Sequence, residues 1–241
     1  MPPAIFIPIH RVASAILVLF CSTVGAEEWI THAEVGVRHD GNLNNSPFAT
    51  DILLGRSMSA AVSKSTSFPL NVGEDIDFGG EFQSEVFDHY NGINNQSLGA
   101  HLAWRKKWGL GAFAPWTGIE WSSARLNFNN SIRNGWRHQL TPSVGQRLNE
   151  QWNLRGDYLL EWRTAKSLEP DVPGISGDVF SQVSQSLILN AEYAWSNKLL
   201  LAFGYLIRHG DVVASVREHP GTNIVESAKA IAADPVFGEE F

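Results

Sequence analysis

Long and short connections take turns along this chain, and between them lie nine strand-like segments of alternating polarity. The segments fall at about 29–38, 51–63, 70–87, 96–105, 110–122, 133–148, 152–163, 179–195 and 198–208. The long connections (39–50, 88–95, 123–132 and 164–178) are rich in Asn, Ser, Gly, Asp and Pro, as exposed loops are. The short ones are expected at 64–69, 105–109, 149–151 and 196–197. This rhythm fits an up-and-down β-barrel, with tight turns at one rim and longer loops at the other.

Side chains alternate across a strand, so a period of two assigns each residue to a face. In 70–87, Leu70, Val72, Ile76, Phe78, Phe82 and Val86 share one parity, while Asn71, Asp75, Asp77, Glu81, Gln83 and Glu85 share the other. In 152–163, Trp152, Leu154, Tyr158, Leu160 and Trp162 oppose Asn153, Arg155, Asp157, Glu161 and Arg163. Leu98, Ala100, Leu102 and Trp104 oppose Ser97, His101 and Arg105, and Leu199, Leu201, Phe203, Tyr205 and Ile207 form one side of the last segment. Three residues blemish the apolar parity: Arg56, His138 and Pro142. A lipid-facing charge costs about 2–4 kcal/mol at mid-bilayer and little near the interface, so Arg56 is expected near a rim. A change of parity near Pro115 predicts a bulge there.

Alternation alone also suits a soluble sandwich or a lipocalin-like barrel. The tryptophans separate these readings. Trp29, Trp104, Trp108, Trp152 and Trp195 fall near short-turn ends, and Trp121, Trp136 and Trp162 near long-loop ends. Two such belts mark the two lipid–water interfaces.

The start of the chain predicts export. His10 and Arg11 precede a mostly apolar run, Val12 to Val24, and Val24-Gly25-Ala26 supplies the small residues favoured before a cleavage site at Glu27. The run is shorter than the ~20 residues a membrane helix needs. Cys21 lies inside it, so the mature chain would have no cysteine, which suits an exported protein without disulfides. Without Arg11, 17 basic residues face 25 acidic ones, which argues against a nucleic-acid partner. The expected organisation is a signal peptide at 1–26, a barrel at 27–217, and an irregular extracellular loop or truncated end at 218–241.

The ninth segment runs outward, and the residues beyond it, with Pro220, Gly221, Pro235 and Gly238, alternate poorly. Single-chain bacterial barrels use an even number of strands, and an open edge in lipid leaves backbone groups unpaired. The expectation is therefore an all-β, antiparallel barrel that is incomplete, with about nine strands visible and 10–12 in a complete chain, or one strand miscounted within 110–148.

One local string stands out: Arg38-His39-Asp40-Gly41-Asn42-Leu43-Asn44-Asn45. It resembles the Asp-x-Asn-x-Asn element that opens the first loop in many Gram-negative outer-membrane barrels, including surface-assembly and secretion proteins. The resemblance implies a loop-capping role for His39, Asp40, Asn42 and Asn44, since short Asp and Asn side chains bond nearby backbone amides. The string is also similar to the His-x-Ser-Asn motif of barrel lipid hydrolases, lipid A deacylases and outer-membrane phospholipases among them. Gly41 stands where that motif has its serine, so the nucleophile is missing. Ser46 is the nearest substitute.

No catalytic residue, metal site or cofactor is expected. His32, His89, His101, His138, His209 and His219 show no metal-ligand spacing. The charged parity supplies the lumen-facing candidates: Asp75, Asp77, Glu81, Glu85, Glu120, Arg137, Arg147, Arg155, Asp157, Glu161, Arg163, Glu192 and Arg208. They would either form a cross-lumen ion-pair ladder or line a narrow polar pore. The expected protein is a non-enzymatic outer-membrane barrel, a narrow channel or a structural or surface-assembly element. Its partners would be the bilayer, lipopolysaccharide and the barrel-assembly machinery. The alternatives are a barrel lipid hydrolase and a soluble periplasmic β-barrel binding protein.

Overall fold

The computed structural model describes residues 32–165, 180–214, 233–234, 236–237 and 239–240. The expected signal peptide, Cys21, Trp29, His219, nearly all of the 164–178 loop and most of 218–241 lie outside the described residues. Nine strands form one antiparallel sheet in sequence order. They are β1 (His32–Asp40), β2 (Gly55–Asn71), β3 (Glu74–Phe87), β4 (Asn95–Lys107), β5 (Trp116–Phe128), β6 (Gly135–Arg147), β7 (Trp152–Ala165), β8 (Gln182–Ser196) and β9 (Leu199–Gly210). Two tail pieces, β10 (Ala233–Asp234) and β11 (Glu239–Glu240), pair with each other.

The sheet is an up-and-down meander curled into a half-barrel. Its loop-end corners meet: Asn45 Nδ2, in the loop after β1, donates to the carbonyl oxygen of Val213, just beyond β9, at 3.1 Å. Every strand of this sheet but β1 has 12 or more residues, whereas strands in globular proteins usually have 3–10.

The two faces differ as the parity pattern requires. Register pairs Met58 with Val86, Phe82 with Leu98, Leu102 with Trp121 and Leu187 with Ile207 on one face. These side chains splay into solvent; Leu98 is 65% and Met58 61% exposed. The other face crowds inward, with Ser57, Ser97, Asp157, Ser184 and Ser186 all buried. Crowding on one face and splaying on the other make the polar face concave and the apolar face convex. Arg56 lies on the convex face as the second residue of β2, at the loop rim, and its backbone carbonyl accepts from Asp88 N at 3.1 Å. His138 and Pro142 share that face, as do further charges that the sequence reading passed over: Lys64, Arg125 and, at the turn end, the pair Glu74 and Lys106.

Three boundaries differ from the sequence reading. Residues 64–69 are not a turn: β2 continues to Asn71 and the chain reverses at Val72–Gly73, with Gly73 at φ +75°. In this hairpin even-numbered residues face even-numbered residues (Phe68 opposite Ile76), so alternation passes through the reversal without a change of phase. Pro115 is not a bulge; it ends the turn 108–115, where its carbonyl accepts from Trp108 N at 2.7 Å. The third connection expected to be long is shortened to 129–134, because β5 runs on to Phe128. The turn 108–115 is thus longer than the loops on either side of it (88–94 and 129–134), and the rhythm is not strict there. Trp121, expected near the long-loop end, is mid-strand opposite Leu102 and Leu140.

Among the described residues the buried hydrophobic side chains are few and gathered at one end: Phe87, Ile93, Ala124, Leu126 and Phe180. Phe87, Ala124 and Leu126 come from the loop-proximal ends of β3 and β5 on the concave face. Ile93 and Phe180 come from the loops themselves. The core is a packed mouth rather than a sandwich interior.

Candidate functional site

The register puts all thirteen charged candidates on the concave face. Their partners lie along the sheet. Glu85 takes Arg38 Nη2 at 3.2 Å and accepts from Ser57 Oγ at 2.7 Å. Asp77 accepts from Ser67 Oγ at 3.1 Å and lies 2.9 Å from His101 Nε2. Asp157 receives Arg155 Nε on both oxygens (2.8 and 2.9 Å) and Ser143 Oγ at 2.6 Å. Glu161 accepts from Gln139 at 2.7 Å and faces Arg208 Nη2 at 3.6 Å. Glu192 accepts from Asn153 at 3.0 Å, and Arg147 donates to the carbonyls of Asn149 and Glu150 in the β6–β7 turn. Asp75 stands opposite Arg105, Glu81 opposite Ser63 and Gly99, and Glu120 opposite Ala103 and Thr141. Arg137 stands opposite Arg163, a pair of like charges. Two of the ion pairs, Arg38–Glu85 and Arg208–Glu161, each join a strand to its second neighbour along the wall.

Three of the four residues of the first-loop string bond the loop. Asp40 Oδ1 accepts from Asn42 N at 2.9 Å, an Asx turn. Asn42 bridges both backbone groups of Ser46 at 2.9 Å, and Asn44 receives Leu53 N and donates to Asp51 O. His39 instead lies on the convex face, opposite Arg56. Ser46 is buried, and its hydroxyl bonds both the N–H and the carbonyl of Phe48.

The loops β3–β4 and β5–β6 are built alike. Each contains a single 3-10 turn, Asn91–Ile93 and Ser131–Arg133. Each is closed by the asparagine just after the turn: Asn94 Oδ1 accepts from Phe87 N at 2.7 Å, and Asn134 Oδ1 from Phe128 N at 2.6 Å. The two loops are also joined, Asn129 N donating to Asn94 O and Asn130 N to Gly92 O, both at 2.9 Å. The tail docks here as well, with the Phe237 ring edge-on to Tyr90 at 5.1 Å.

Beneath these loops lies a cavity of about 330 Å³, and three arginines from separate elements line it: Arg133, Arg163 and Arg208. Arg133 is buried against the ring of Phe180 at 4.6 Å. Arg163 Nη2 donates to the Arg133 carbonyl at 2.6 Å, its guanidinium 5.2 Å from the Phe128 ring. Arg208 Nη2 donates to Ser184 Oγ at 3.0 Å. Asp211, Gln182, Asn44 and Asn45 complete the polar wall. On the opposite face, a shallower apolar groove of about 600 Å³ is lined by Val144, Leu154, Leu189, Phe203 and Tyr205 beside Gly156.

Sequence reasoning placed Arg163 and Arg208 but missed Arg133 and the apolar filling around it. One signal was available: Phe87, Leu126 and Phe128 are apolar residues on the charged parity, all near the loop end. Comparison with family models, curated proteins and solved structures gave no match.

Proposed function

We propose that this chain is a Gram-negative outer-membrane β-barrel protein, exported by a cleaved signal peptide, with a structural or narrow-channel role and no catalysis. The observation that carries the reading is the convex face, where Val37, Met58, Val86, Leu98, Leu102, Leu187 and Phe203 stand exposed across successive strands. Soluble monomers seldom expose contiguous apolar patches beyond a few hundred Å², whereas a barrel wall in lipid consists of such a surface. Long strands, the apolar groove beside Gly156 and Arg56 at the rim support the same reading. Lys64 opposes Gly80 in mid-sheet, and its four-carbon stem can carry the ammonium toward an interface. Lipid and lipopolysaccharide would cover this face after delivery by the barrel-assembly machinery.

The filled loop end favours a structural barrel over an open pore, since Phe87, Ile93, Leu126 and Phe180 occupy the mouth. The engaged Ser46 hydroxyl, bonded to both backbone groups of Phe48, favours a non-enzymatic role. Fractionation and electrophoresis test the proposal together. The expressed protein should sediment with outer membranes and show a heat-dependent gel shift in detergent. Recovery in the soluble periplasm without a shift would replace the membrane reading with a periplasmic binding protein.

A further inference from the structure

We propose that the cavity beneath the loops is a binding site for a small, multiply charged oxyanion of the phosphate class, held by Arg163 and Arg208 with Arg133 in its wall. The guanidinium fork matches the geometry of such an oxyanion and donates two parallel hydrogen bonds to it. Three residues that carry such forks line about 330 Å³; Asp211 is the one carboxylate among the described lining residues, and Glu161, outside the lining, lies 3.6 Å from Arg208. Asp211 already accepts a hydrogen bond from Val183 N at 3.0 Å.

Arg163 carries the argument furthest. Its strand partner across β6–β7 is Arg137, so two like charges stand directly opposite, an arrangement that destabilises a sheet. Its Nε is buried without a hydrogen-bond partner, a costly state for a charged donor unless an acceptor arrives. Its Nη2 is fixed on the Arg133 carbonyl, and both guanidinium groups lie by the Phe180 ring, at 4.6 Å (Arg133) and 5.8 Å (Arg163). An anion would relieve the repulsion and complete the unmet donor with little reorganisation. Arg163 and Arg208 stand on the concave face, away from the apolar convex surface, so the expected source is free anion in solution rather than a lipid headgroup.

Calorimetric titration of the detergent-folded full chain with inorganic phosphate tests this, with lipid A in mixed micelles as a second arm. Phosphate should bind saturably, and Arg163→Gln and Arg208→Gln should each weaken binding at least tenfold. Arg147→Gln, on the same face but at the turn end, should leave it unchanged. Binding confined to the lipid A arm and lost in Arg163→Gln would keep the site and move the anion to a lipid. Binding of neither, or equal binding in all variants, would overturn the site. The gel shift of each variant is read alongside, so a protein that binds phosphate without a shift keeps the site and loses the membrane reading.

Discussion

The side-chain carbonyl of Asn94 accepts a 2.7 Å hydrogen bond from the backbone N–H of Phe87, across the loop joining β3 to β4. Asn134 and Phe128 repeat the relationship one hairpin later. Removing a partner and leaving a buried donor unmet costs about 1–3 kcal/mol. Asn94→Ala and Asn134→Ala should each lower stability by about that much, read as a shift in the urea midpoint of the gel-shifted form. Because the loops are hydrogen-bonded to each other, the double variant should depart from the sum of the two. Strict additivity would show that the loops act separately.

Leu102 is half exposed on the convex face, between Phe78 and Trp121. If that face meets lipid, Leu102→Arg costs about 2–4 kcal/mol near mid-bilayer. At an exposed site in water the same change stays within about 0.5 kcal/mol. Folding into vesicles, measured by denaturant titration, separates these values.

A Cβ added at Gly41 would meet nothing within 4 Å, so the chain has room for the side chain that the hydrolase motif requires. Gly41→Ser should fold normally and still release no fatty acid from lipid A or phospholipid, because Asn42, the asparagine of that motif, already has both side-chain groups bonded to the backbone of Ser46. Deacylation by this variant that is lost again on His39→Ala would revive the hydrolase reading.

Gly135 has no such room. A Cβ there would run into the carbonyl of Thr164 on the neighbouring strand. Gly135→Ala should abolish the gel shift or cut the folded yield severely, while Gly111→Ala, strained by φ +88° but spatially free, should cost only about 1 kcal/mol.

Asp88, in the β3–β4 loop, is held below the usual carboxylate range, by the His89 side chain first and then by the Arg56 backbone N–H. A depressed folded value means its contribution is present above the unfolded carboxylate range and is lost as pH falls through the depressed one. The loop should therefore loosen only under acid conditions, and carboxyl NMR titration should give Asp88 a lower midpoint in the native chain than in a His89→Ala variant.

Parity was the legible part of this fold. A strand has a period of two, so each charged candidate from Asp75 to Arg208 could be assigned to the face it occupies. Reversals were harder to see. Phe68 and Ile76 share parity across the Val72–Gly73 turn, so only Gly73 itself marked the bend. The cavity was the least legible, because Arg133, Arg163 and Arg208 are far apart in the chain and only the curl of the sheet unites them.

The meander gives each strand its predecessor as template. Registry is therefore inherited: a one-residue slip at β4–β5 would turn Glu120 and Ser122 outward, draw Trp121 in, and pass the inversion to every later strand. In such a chain, each hairpin proofreads the next one laid beside it.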